Sequence, residues 1–159
     1  SGASIGREDC LQLIQEQLEK RKVPANNICF EITETAAIAD PANAGRFITE
    51  LKRLGCQFAL DDFGSGLSSF GYLKQLPVDY LKIDGIFIQE LANNRIDQAM
   101  VASINNIGHI MGLKTIAEFV EDAATLNILR QIGVDYVQGY YLSRPEPLES
   151  LTSVRVMPR

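Results

Sequence analysis

Apolar positions along this chain switch between two spacings. Leu11, Ile14 and Leu18 recur at helical intervals. Ile28, Phe30 and Ile32 then alternate, which predicts a strand over residues 28–32 with those three side chains on one face. Asp40-Pro41 reads as a helix start, with Asp as N-cap and Pro in the first helical position. The helix it opens carries Phe47, Leu51 and Leu54. A second strand is predicted at Gln57-Phe58-Ala59-Leu60, and a short helical stretch near Tyr72-Leu73. A third strand is Tyr80-Leu81-Lys82-Ile83. The longest helix runs from Ile96 to Met111, with Ile96, Met100, Ile104, Ile107 and Met111 expected on its buried side. Strands at residues 113–117 and 135–138 flank a last helix that carries Leu126, Leu129 and Ile132.

Three times the chain writes helix, glycine, short strand, at Gly55, Gly112 and Gly133. A glycine just past a helix adopts the left-handed conformation without steric cost and turns the chain into the next strand. Mostly apolar strands joined by helices imply a parallel sheet covered by helices. Two architectures satisfy this pattern: a doubly wound sheet and a (β/α) barrel.

The polar residues at the strand ends add chemistry. Glu31 and Glu34 fall at the end of the first strand, Asp61 and Asp62 at the second, Lys82 and Asp84 at the third, Glu118 and Glu121 at the fourth, Gln138 at the fifth. In a parallel α/β fold these ends point to the face where ligands bind. So many acids on one face need neutralising, and hard oxygen donors suit a divalent cation such as Mg²⁺ or Mn²⁺. Two ions near Asp61-Asp62 would activate a water and stabilise a leaving oxygen in phosphodiester cleavage. Lys82 would hold or deprotonate that water.

Each residue alone has a plainer reading. Asp40 and Asp122 are expected as helix caps. A lysine in an apolar strand often snorkels outward. Gly64-Ser65-Gly66 lacks the spacing of a nucleotide loop and reads equally as a turn. His109, the single histidine, is expected in a core or surface role, and no Ser/His/Asp or Cys/His arrangement is readable. Five strand ends carrying polar groups together are harder to dismiss than any one of them.

Composition narrows the partners. The 159 residues carry 15 Lys+Arg against 20 Asp+Glu, a net charge of −5 and a pI near 4.9. That argues against a DNA or RNA surface built on bulk charge. The 46% hydrophobic content is that of a globular domain. No apolar run approaches the length of a membrane span, so no direct membrane insertion is expected. Cys10, Cys29 and Cys56, an odd number without a CxxC pair, are expected as reduced core thiols in a cytoplasmic protein.

Glu31-Ile32-Thr33-Glu34, Asp61-Asp62-Phe63-Gly64-Ser65-Gly66, Lys82-Ile83-Asp84, Ala117-Glu118-Phe119-Val120-Glu121 and Gln138-Gly139-Tyr140 together resemble the ordered motifs of the EAL domain. The resemblance covers about residues 8–150, its motifs lying within 28–145. It implies a (β/α)₈-type TIM barrel that linearises cyclic di-GMP to pGpG with two Mg²⁺ or Mn²⁺ ions. By motif position it implies that Glu31 binds metal, that Asp61 bridges both ions and that Asp62 binds the second. It implies that Lys82 positions or activates the attacking water and that Glu118 is a ligand or base beside the metals. Glu121 and Gln138 would line the water and substrate side. Glu34 would hold the Asp-Asp-Phe-Gly loop, which couples the site to the family's dimer interface. A homodimer, or flanking GGDEF or sensor domains in a signalling parent, is the expected setting.

The departures matter too. The family's Glu-Ala-Leu strand, with its metal-binding Glu and following Arg, is absent, and so is the metal-binding Asn of its Asn-Leu-Ser strand. Residues 1–4 resemble the continuation of that second segment. The expectation is therefore a single partial domain over 1–159 lacking its first strands and first helix. Phe119 stands where the family usually has Gly, Gly85 where it often has Arg, and Ser65 where Thr is commoner. Phe119 would crowd the loop beside Glu118 or pack beneath a substrate base. The competing function is a catalytically degenerate module that binds cyclic di-GMP or a protein without cleaving it.

Overall fold

The computed structural model describes residues 8–64 and 70–147. The expectations for residues 1–4, Ser65 and Gly66 lie outside the described residues. Helix α1 (Glu8–Arg21) leads to β1 (Cys29–Thr33), α2 (Glu34–Ala39) and α3 (Pro41–Arg53). Then follow β2 (Gln57–Phe63), α4 (Phe70–Leu73), β3 (Tyr80–Ile83), α5 (Arg95–Ile110), β4 (Lys114–Ala117), α6 (Ala123–Ile132) and β5 (Tyr136–Val137).

The boundaries have local causes. Asp40 accepts a hydrogen bond from Asn43 N at 3.1 Å, with Pro41 opening α3 as expected. Asp122 does the same for Thr125 N at 2.7 Å and starts α6. Gly55, Gly112 and Gly133 have φ of 103°, 78° and 86°, the left-handed turns that the helix–glycine–strand pattern anticipates.

All neighbouring strands pair in parallel, in the order β1-β2-β3-β4-β5. This order decides between the two architectures. A doubly wound sheet reverses its strand order at a switch point, whereas a barrel winds on in one direction. The described strands form a five-stranded arc of the barrel type.

Alternation sends Ile32, Phe58, Leu60, Leu81 and Ile83 to the helix-covered face, where they join Phe47, Ile48 and Leu51 of α3 in the core. Phe58 and Leu60 are fully buried, and each contributes roughly 1.5–3 kcal/mol. The opposite, inward face carries Cys29, Glu31, Gln57, Asp61, Tyr80 and Lys82. Its polar character explains why Cys29 is exposed rather than in the core; Cys56 is buried and Cys10 half-buried, all three as free thiols.

The long helix departs from its expected buried stripe. Ile96 and Met100 are exposed, at 73% and 43%, while Val101, Ile104, Asn105 and Gly108 face the sheet. The close approach is made by a glycine: a Cβ on Gly108 would lie 2.9 Å from Thr115 Cγ2. Small and polar residues at the contact displaced the stripe from the large apolar positions. Leu54, the C-cap of α3, is likewise exposed. Among the described residues no helix is long and apolar enough to cross a membrane.

Candidate active site at the carboxyl ends of the strands

Strand β2 runs three residues beyond its expected end, through Asp61 and Asp62 to Phe63. The reason is a bulge. Register between β2 and β3 shifts between Leu60 and Phe63. Phe58, Leu60 and Phe63 are all buried in the core, so one extra residue is accommodated before the last of them. Asp62 takes the irregular backbone at φ 55°, a region Asp tolerates better than most residues. Two successive carboxylates thereby reach the same neighbourhood, which an unbroken strand would forbid. Carboxylate oxygens of Asp61, Asp62 and Glu118 all lie within 4.8 Å of one another.

Lys82 projects from the middle of β3 into this group. Its ammonium is 2.9 Å from Asp61 Oδ1, 2.9 Å from Glu118 Oε1 and 3.0 Å from Glu31 Oε2. The side chain is 3% exposed, so it is enclosed rather than snorkelling outward. Burial opposes its charge, but the bonds to Glu118, Asp61 and Glu31 outweigh that and hold its pKa above the usual lysine value. It is therefore a fixed cation at neutral pH.

For Glu118 and Asp62 it is the charged form that is disfavoured. Burial pushes Glu118 up; Lys82 pulls it down, and Asp61 adds to the rise. Asp62 is raised by desolvation and by the charges of Asp61 and Asp84. Asp61 Oδ1 is buried, and it faces the Lys82 ammonium at 2.9 Å. A buried carboxylate oxygen that shares one ammonium with two other acids, inside a cluster of three hard oxygen donors, fits a divalent cation. Glu31 stands apart from this trio and joins it through Lys82.

Glu34 opens α2 and is 2% exposed. Its Oε2 accepts from Gly64 N at 3.0 Å and its Oε1 from the Tyr72 hydroxyl at 2.5 Å. Burial and this bond push the Tyr72 phenol well above its ordinary value. Glu34 thus ties the residue after Asp61-Asp62-Phe63 to α4. In the sequence Tyr72 carries only a helical signal; its partnership with Glu34 spans 38 residues and has no local signature.

Glu121 and Gln138 sit beside the acids rather than among them. With Glu118, Phe119, Gly139 and Tyr140 they line a cavity of about 200 Å³. The loop is closed by main chain: Gln138 N donates to Ala117 O at 2.8 Å and Val120 N to Gln138 O at 3.1 Å. Gly139 is required there, because a Cβ would lie 2.2 Å from Val120 O.

A parallel barrel-type sheet with a lysine and clustered carboxylates at its strand ends is an arrangement of hard oxygen donors that suits a divalent cation. The chain belongs to the EAL domain family, whose model matches residues 1–145. It is 47% identical to the cyclic di-GMP phosphodiesterase PdeB of Shewanella oneidensis over 94% of this chain and 18% of that protein. The chain thus spans about a fifth of the curated relatives it matches. It superposes on the PaMucR phosphodiesterase–c-di-GMP complex with a TM-score of 0.90 at 34% identity, covering 95% of this chain and 61% of that one. The FimX EAL domain of Pseudomonas aeruginosa bound to c-di-GMP matches with a TM-score of 0.87 at 34% identity, over 92% and 60% of the two chains.

Proposed function

We propose that this chain is the hydrolytic part of a cyclic di-GMP phosphodiesterase that opens the cyclic dinucleotide to pGpG. The observation that carries the reading is the Lys82 ammonium held within 3.0 Å of Glu31, Asp61 and Glu118, beside Asp62.

Asp61, Asp62 and Glu118 would hold Mg²⁺ or Mn²⁺, with Glu31 completing the set from β1. Such ions, when bound, polarise a phosphodiester and acidify a coordinated water. The protein's own groups do the rest. Lys82, locked as an ammonium, donates to the attacking water and orients it; a lysine with a raised pKa is not a base. Glu118, its carboxyl raised by burial, is the better acceptor for the water's proton. Glu121 and Gln138 border the adjoining cavity and face the substrate side. Glu34, bonded to Gly64 N and Tyr72, ties the end of β2 to α4, and in a homodimer it would link the site to the partner.

The test is hydrolysis of cyclic di-GMP by this chain with Mn²⁺ or Mg²⁺, with a chelator control and chromatography of the linear product. Metal-dependent appearance of pGpG is expected, and Asp61→Asn should slow it by orders of magnitude. Nucleotide binding in chelator without turnover in metal would instead mark a module that binds and does not cleave.

A further inference from the structure

Helix α3 packs on the sheet through Ala44, Phe47, Ile48 and Leu51, and its other face is built differently. Ala42, Arg46, Thr49 and Arg53 recur at steps of four, three and four, which sets them in one row along that face. The row forms one wall of a groove of about 500 Å³. The opposite wall is the segment from Lys74 to Pro77, between α4 and β3. That second wall is firmly held. Leu76 is buried, Gln75 N donates to Tyr72 O at 2.9 Å, and Leu76 N donates to Leu73 O at 3.2 Å. The walls approach each other at Gly45, where a Cβ would lie 3.4 Å from Gln75 O. Small residues at 42, 45 and 49 keep the groove open, and none of its lining residues belongs to the cluster around Lys82.

The charge of the groove opposes that of the chain. In a protein of net charge −5 it is lined by Arg46, Arg53 and Lys74 against one acid, Glu50. All three cations are exposed. Asp40, at the start of α3, is engaged as the helix cap. Arg46 Nη2 donates to Asn43 Oδ1 at 2.6 Å, and Arg53 Nη1 donates to Glu50 Oε1 at 2.7 Å. Each bond steadies a guanidinium and leaves other donors of its fork for a ligand. Spacing decides what fits. At 1.5 Å per residue, the wall from Pro41 to Arg53 is about 18 Å long, and Arg46 and Arg53 stand about 10 Å apart along it. A single phosphate or carboxylate is too small to bridge them. In an extended chain, rising about 3.3 Å per residue, acids three positions apart match that spacing. Arginines clustered over a groove are a recurrent means of holding acidic motifs.

We infer that the groove between α3 and the Lys74–Pro77 segment is a docking site for an acidic, extended segment of a partner protein. Arg46 and Arg53 take carboxylates three residues apart, Lys74 meets the chain from the opposite wall, and the intervening residues lie over the small side chains of the floor. Glu50 restrains affinity, because it competes for Arg53.

The test is a fluorescence-anisotropy titration of the chain with a labelled peptide of about eight residues that carries glutamates three positions apart. Saturable binding that weakens as salt is raised is expected, and the same peptide with glutamines should not bind. Reversing both arginines, Arg46→Glu with Arg53→Glu, should lower affinity at least about tenfold. Ala42→Trp fills the floor at an exposed position without changing charge and should cause a comparable loss. Glu50→Gln frees Arg53 and should strengthen binding. Arg95→Glu, an equal change of net charge on α5, should leave affinity within about twofold of wild type. The docking site is refuted if the glutamate peptide does not bind at low salt, or if the double reversal or Ala42→Trp binds within twofold of wild type. An equal loss in Arg95→Glu would reduce the effect to bulk charge and overturn it too. Competition by millimolar inorganic phosphate that matches the peptide, or capture by phosphatidylserine vesicles in place of it, would reassign the groove to a simple anion or a lipid surface.

Discussion

Two groups of ionisable side chains sit on this sheet, and they are built to opposite rules. Asp135, at the start of β5, is surrounded by donors. Lys114 Nζ lies 2.8 Å from Oδ1, and His109 Nε2 and Thr115 N lie 2.7 and 2.9 Å from Oδ2. Burial works against its charge, but Lys114, Thr115 N and His109 hold its carboxyl well below the usual value. That cluster is satisfied, and its product is structural: it pins β5 to β4 and α5. It also supplies the surface role expected for His109. Around Lys82 the balance is reversed. One ammonium serves Glu31, Asp61 and Glu118, Asp62 crowds in, and both Glu118 and Asp62 are raised. Raised carboxylates crowded around one buried ammonium are the pattern expected of a functional site rather than of a structural ion pair.

This contrast breaks most visibly in turnover. Asp61→Asn and Lys82→Ala should each cut the steady-state hydrolysis rate by about 10²–10³-fold, whereas Asp135→Asn should leave the rate per folded molecule near wild type. A wild-type rate in Asp61→Asn would remove the two-metal assignment. In denaturant titration the ranking inverts. Asp135→Asn should cost about 1–3 kcal/mol, because Lys114 and Thr115 N lose a charged acceptor.

Acidity sharpens the same difference. The folded Asp135 carboxyl titrates below its ordinary 3.8, so its stabilisation is full above about pH 5 and drains away as pH falls. The stability gap between wild type and Asp135→Asn should therefore shrink in acid when melting curves are compared. Asp62 has the opposite sign: its ionised form is disfavoured in the fold. Calorimetry in chelator should find Asp62→Asn at least as heat-stable as wild type, and adding Mn²⁺ should raise the Tm of wild type more than that of the variant. The smallest effect belongs to the loop tie. Tyr72→Phe removes one donor from Glu34 and should lower stability by about 1 kcal/mol without abolishing turnover.

Much of this was legible beforehand. The helix–glycine–strand rhythm and the caps at Asp40 and Asp122 are local, and they survived. The polar strand ends were legible because parallel strands must present one end together. The bulge was not. Nothing in Leu60-Asp61-Asp62-Phe63 announces that Phe63 returns to the core, so the strand was ended too soon. The stripe of α5 was misjudged because Gly108 and Asn105 carry no hydrophobic signal, although they make the closest approach to the sheet.

Sequence alone therefore determined which residue types stand at which strand ends, since alternation and turn chemistry act over a few residues. Tertiary structure decided their relations. It chose the winding direction and buried Lys82 among three acids. The bulge drew Asp61 and Asp62 toward Glu118, and Phe119 came to rest on Gly85. Those outcomes depend on packing between elements tens of residues apart, where distance along the chain carries no information about distance in space.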